Sequence, residues 1–140
     1  MTPHQIRLVQ MSFSHVAPIS TIAVDLFYGR LFHIAPHLRR LFPEDLSQQK
    51  CKLMTMLGVL VNGLDRIEAL MPVVQGLGRR HVGYGVREHD FAPVGEALLW
   101  TLEQGLGDGF TSEVKEAWTA AYGVLSRAMI EAASEPRMAA

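Results

Sequence analysis

The sequence has 140 residues, 49% hydrophobic and 19% charged, with a formal net charge of −1. A chain of this length forms one domain with a substantial core, and its balance excludes both a disordered polyelectrolyte and a polybasic nucleic-acid or membrane surface. The only cysteine, Cys51, forbids an intramolecular disulfide, no export signal is visible, and the uncharged stretch 53–64 is too short to span a bilayer, so a cytoplasmic protein is expected.

Thr2-Pro3-His4-Gln5 reads as a helix start, with Thr2 as the cap, Pro3 in the first helical position and Gln5 reaching back to the cap. Ile6, Val9, Phe13 and Val16 follow at helical spacing. Pro18 interrupts, and a second helix is predicted through Ile22, Leu26 and Phe32 to the residue before Pro36, which a proline pushes out of helical geometry. Pro36 to Leu41 suits one short turn before Phe42-Pro43. From Ser47 to Leu70 the residues Leu53, Leu57, Leu60, Leu64 and Ile67 mark the stripe of one long helix packed on a core. Pro72 is expected to restart the chain as a short helix in which Val74, Leu77 and His81 share a side, ended by Gly83 and Gly85. Another helix begins near Pro93 with Val94, Ala97, Leu98, Thr101, Leu102 and Gly105 on one side, and 105–109 forms a turn. Thr111 caps a last helix with the stripe Val114, Ala117, Trp118, Ala121, Leu125 and Ala128. Trp100, Trp118 and Tyr122 are expected to pack between these last two helices. No strand pattern or repeat intervenes, so the predicted fold is all-α, with about six to eight helices and short loops.

His81 is the residue that asks for a function. A histidine on an apolar helical side can donate one ring N–H to the carbonyl one turn back, here that of Leu77, which leaves the second nitrogen as an acceptor directed inward. That is the arrangement of a metal ligand. No second histidine, cysteine or carboxylate stands at zinc-type spacing on the same helix, so spacing does not support a metal site made by protein alone. A metal that brings its own equatorial ligands needs one from the protein, and haem iron is that metal.

The segments "LFYGRLF" (26–32), "LRRLFP" (38–43), "QQKCKL" (48–53), "LGRRHVGYGV" (77–86), "FAPVGEALL" (91–99), "LGDGFT" (106–111) and "AWTAAYGVL" (117–125) occur in an order and spacing that resemble the globin family. The similarity is greatest to neuroglobin, single-domain bacterial haemoglobins and the haem domains of flavohaemoglobins. The resemblance implies a globin fold over 1–133 with a flexible tail at 134–140, haem b as cofactor, and His81 as the proximal iron ligand. It places Tyr28 and Gln49 on the distal side as donors to a bound gas, and Phe42, Leu53 and Val86 against the haem. Lys52 and Arg80 are candidates for the propionates. Cys51, about 200° around the helix from Gln49, should turn away.

Two departures from the flavohaemoglobin pattern bear on chemistry. Phe91 and Ala133 stand where those proteins buttress the proximal histidine with a tyrosine and a glutamate, and Glu131 is two residues from the second position. An imidazole without a carboxylate partner keeps less anionic character, which argues against peroxidase-like activation. The resemblance therefore implies reversible binding of O2 and other diatomic gases such as NO and CO. The alternatives are nitric oxide dioxygenase activity with electrons from a separate reductase, since no flavin domain is expected in 140 residues, and a gas or redox sensor. Partner surfaces are expected to be gases and a reductase, not nucleic acid, in a monomer or homodimer. His4, His15, His33, His37 and His89 receive no role.

Overall fold

The computed structural model describes residues 1–83 and 85–134. Among these it has six α-helices, α1 (Pro3–Val16), α2 (Ser20–Ile34), α3 (Ser47–Asn62), α4 (Ile67–Gly83), α5 (Phe91–Leu106) and α6 (Ser112–Ser134), joined by short 3-10 helices, and no strand. The all-α expectation therefore holds. None of the described helices is long and apolar enough to cross a membrane. The predicted tail begins at 134, but Ser134 closes α6, and 135–140 lie outside the described residues.

The first helix starts as its sequence demands. The Gln5 amide donates to Thr2 Oγ1 at 3.1 Å while Gln5 Oε1 accepts from the Thr2 amide at 3.0 Å, a reciprocal cap that satisfies two donors a helix start leaves orphaned. The stripe that follows buries Val9, Phe13 and Val16 against α6, where Val114, Ala117, Trp118 and Ala121 are also buried. Trp118 corrects one expectation: its ring packs on Phe13, centroids 6.4 Å apart, and its indole N–H donates to Ser12 Oγ at 2.8 Å, so it serves the α1–α6 contact. Trp100 lies beneath the Arg30 guanidinium of α2, 5.1 Å from ring to Cζ. Tyr122 does join the last two helices, donating from its hydroxyl to the Phe91 carbonyl at 2.6 Å.

The second helix runs through Ile22, Leu26 and Phe32 as predicted, and its register turns Ala23, Val24, Phe27, Tyr28 and Leu31 inward while Ile22 stays 60% exposed. One helix prediction fails for a physical reason. The single helix from Ser47 to Leu70 is broken at Gly63, and the expected restart at Pro72 does not occur, since α4 runs through that proline. At Gly63 a Cβ would stand 2.9 Å from Leu70 Cδ1 and 3.1 Å from the Val59 carbonyl oxygen, so a larger residue would require the Leu70 side chain to shift. Gln10 of α1 then donates to the Val61 carbonyl at 3.1 Å and to Asp65 Oδ1 at 3.3 Å, satisfying the end of α3 from outside. Pro72 removes one rung of α4 and stays exposed, while Leu70 and Val74 on either side are buried and offset a cost of about 3 kcal/mol.

Candidate functional site

Helix α4 delivers His81 one turn beyond Leu77. Its Nδ1 lies 2.6 Å from the Leu77 carbonyl oxygen, which can only accept, so the proton belongs on Nδ1 and the imidazole's lone pair sits on Nε2. This fixes tautomer and ring direction together. The ring is half-buried beside Phe91 at the start of α5, with centroids 6.2 Å apart. Phe91 thus occupies the place under the imidazole without a hydroxyl to offer, and its own backbone carbonyl is held by Tyr122. Just past His81, the Val86 amide donates to the His81 carbonyl at 3.0 Å and Gly85 takes a positive φ of 87°, a conformation that favours glycine. Val86 is half-buried.

The opposite wall comes from α2, the turn after it and α3. Tyr28 is only 3% exposed and sits in an aromatic cage, edge-on to Phe27 at 5.1 Å and to Phe42 at 5.7 Å, with Phe32 at 5.8 Å. Burial pushes its phenol above the ordinary value of 10.0, and the neighbouring Gln49 side chain only partly opposes this, so the group stays protonated throughout neutral pH. Leu53, one turn after Gln49, packs with Phe42 in the cluster centred on Phe27, Tyr28, Leu31 and Ala97, which Val94 and Leu98 of α5 complete. Tyr28, Phe42, Gln49 and Leu53 are thereby brought together, and His81 reaches the same end of the molecule through Phe91, which precedes Val94 by less than one turn.

Lys52 and Arg80 are exposed, and Cys51 faces solvent as expected. Two residues important to the wall escaped the sequence reading. Arg39 donates to the Pro43 and Glu44 carbonyls, each at 2.9 Å, and its Cζ lies 5.3 Å from the Phe32 ring centre, which clamps the corner that presents Phe42. Asp45 Oδ1 accepts from the Ser47 amide at 3.0 Å and hydroxyl at 2.6 Å, and these bonds lower its carboxyl below 3.8 while setting the start of α3 that aims Gln49. An Asp two residues ahead of a helical Ser is a signal that was available for the second. Lys50 adds a 2.7 Å ion pair to Asp25 across α2 and α3, a partly exposed contact worth about 0–1 kcal/mol.

The residues present suit haem. The Nδ1–H···O bond of His81 orients a nitrogen ligand, and α3 offers an apolar side of Leu53, Met56, Leu57 and Leu60 that protein atoms cover only in part; Val61 alone of its 16 residues is fully buried. Such a side is what a flat apolar macrocycle would cover.

A family model for globins matches residues 25–129. The chain is 36% identical over 107 residues to a flavohemoprotein of Bordetella parapertussis, covering 74% of this chain but 27% of that protein, so it spans about a quarter of such relatives. It is 33% identical over 118 residues to neuroglobin of Danio rerio, covering 74% of each. Its structure superposes on an engineered carbene transferase from Rhodothermus marinus with a TM-score of 0.85 at 24% identity, over 96% of this chain and 94% of the other. Sequence match and fold agree, and the chain belongs to the globin family, whose members hold haem and bind gases at it.

Proposed function

We propose that this globin holds haem b through His81 and binds O2, and also NO and CO, reversibly and tightly, with Tyr28 and Gln49 as the donors that retain the gas. The haem would supply an iron that coordinates a diatomic ligand and exchanges one electron. His81 Nε2 would bind that iron, with Phe42, Leu53 and Val86 against the macrocycle and Lys52 and Arg80 toward its carboxylates. The observation that carries this reading is the burial of Tyr28, 3% exposed in its aromatic cage with Gln49 beside it. Donors aimed at developing negative charge from a water-poor wall stabilise it far more than donors in bulk water, which slows release and suits retention of gas over bulk delivery. Gln49 is a poor iron ligand, so no bis-histidine state arises through that position.

The test is the absorption spectrum of the purified protein in ferric, ferrous and oxygenated forms, repeated with His81→Ala. Loss of haem or of the proximal-ligand signature in the variant is expected; an unchanged spectrum would place iron elsewhere and sink the reading.

A second reading, nitric oxide dioxygenase activity with a separate reductase, is supported by the likeness to flavohemoproteins and to the Rhodothermus marinus protein, whose name associates it with that activity. It predicts that nitric oxide discharges the oxygenated spectrum within mixing time and that an added reductase restores it. Survival of the oxygenated form would exclude it. We place either activity in the cytoplasm.

A further inference from the structure

We propose that His37, His89 and Asp90 form a binding site for a divalent transition-metal cation of the zinc type, separate from the iron ligand His81. The inference is independent of the haem reading. His37 lies in the 3-10 helix Pro36–Leu41 after α2, and His89 and Asp90 lie in the 3-10 helix Glu88–Asp90 before α5. One ligand atom from each of the three falls within 4.8 Å of the others. His37 Nε2 stands 3.2 Å from Asp90 Oδ1, and His89 Nε2 stands 3.5 Å from the same oxygen.

Ligands held about 2.0–2.2 Å from a tetrahedral ion are separated by roughly 3.3–3.6 Å, so two of the three edges already have coordination spacing. The third edge, between the imidazoles, closes by rotation of two rings that are free to turn, with side chains 50% and 69% exposed. The carboxylate is the fixed member. Its side chain is only 5% exposed, and Oδ2 accepts from the Arg87 amide at 2.9 Å, which holds Oδ1 toward both histidines. A hydrogen-bonded tie between the two segments would need a single imidazole. Here two Nε2 atoms converge on one oxygen, and the solvent side leaves room for water as a further ligand. Two imidazoles with one carboxylate are a borderline donor set, matched to zinc, copper or nickel rather than to calcium or magnesium. Occupancy would staple the corner leading to Phe42 to the turn leading to Phe91, the residue beside His81.

The probe is zinc(II) alone, titrated calorimetrically into the purified, untagged protein at neutral pH, with His37→Ala and His89→Ala as exposed variants that leave the core intact. One saturable equivalent in the parent, lost in both variants, together with a zinc-dependent rise in Tm seen only in the parent, is the expected result. Asp90→Asn keeps the shape of the side chain and should weaken binding by at least about tenfold. Absence of saturable zinc binding in the parent, or binding that persists in either histidine variant or is unchanged in Asp90→Asn, overturns the site.

Discussion

On the side of the site that carries His81, α4 presses on α6 so closely that a methyl group at Gly78 would stand 2.7 Å from the Cα of Met129; on the side that carries Gln49, a methyl group at Gly58 would meet nothing nearer than Phe13, at 3.9 Å. The close wall is backbone against backbone, three residues before His81. The open wall is a helix whose apolar residues are mostly half-buried. The difference suits the proposed function: a proximal ligand would need neighbours that cannot yield, whereas a distal wall would need to accept a macrocycle and admit a gas.

Breaking the close wall should have the largest effect. Gly78→Ala sets a Cβ against the Met129 backbone, including its carbonyl oxygen, and backbone cannot rotate away as a side chain can. A loss of about 3 kcal/mol is expected, a drop in Tm of roughly 10 °C for a chain of this size, accompanied by a disturbed proximal-ligand signature because His81 moves with α4. A Tm within 2–3 °C of the parent, about the shift of 1 kcal/mol, would show that the two helices slide apart at little cost.

Next comes the chemistry of the open wall. Tyr28→Phe combined with Gln49→Ala should accelerate O2 dissociation by about 10- to 100-fold, the worth of charge-assisted hydrogen bonds of about 1.5–3 kcal/mol, with little change in Tm for the Gln49 replacement alone. In the parent, because burial holds the Tyr28 phenol above 10.0, its contribution to the dissociation rate should be flat from pH 6 to pH 9 and fall only as the hydroxyl ionises at higher pH. A titration of that rate near neutrality would assign the retention to another group. Stopped-flow displacement of O2 by CO measures both.

Tyr122→Phe removes the hydroxyl that holds the Phe91 carbonyl and should cost about 1–2 kcal/mol in denaturant unfolding, with a small shift in the proximal-ligand signature. The smallest effect is expected at Gly58. An alanine there enters ordinary contact with Phe13 inside a helix, so Gly58→Ala should be neutral or stabilising by up to about 1 kcal/mol. Marked destabilisation would mean that α3 is held as tightly as α4, and the contrast between the walls would fail.

Much of this was readable from local pattern. The Thr2–Gln5 cap, the stripe of α6 and the inward turn of His81 follow from spacing along single helices, because three- and four-residue neighbours on a helix share a face whatever surrounds them. Tyr28 and Gln49 were assigned by resemblance; that they stand beside each other belongs to the fold, since they lie on two different helices. The failures are equally specific. The stripe from Leu53 to Ile67 continues across Gly63 without a fault in its spacing, yet the helix stops there and Gln10 arrives from α1 to take the Val61 carbonyl, a contact between distant stretches of chain that local spacing does not announce. Pro72 looked like a break and is carried through by the burial of Leu70 and Val74.

What the sequence determined alone is the set of amphipathic helices and the single inward histidine, consequences of short-range geometry and of the loss of water from apolar side chains. The tertiary structure decided where those helices end, which wall is rigid and which yields, and that His37, absent from every motif, stands 3.2 Å from Asp90 across 53 positions of chain. Contacts of that kind depend on how helices cross, and crossing is set by the complementary shapes of two surfaces that no single stretch of sequence contains.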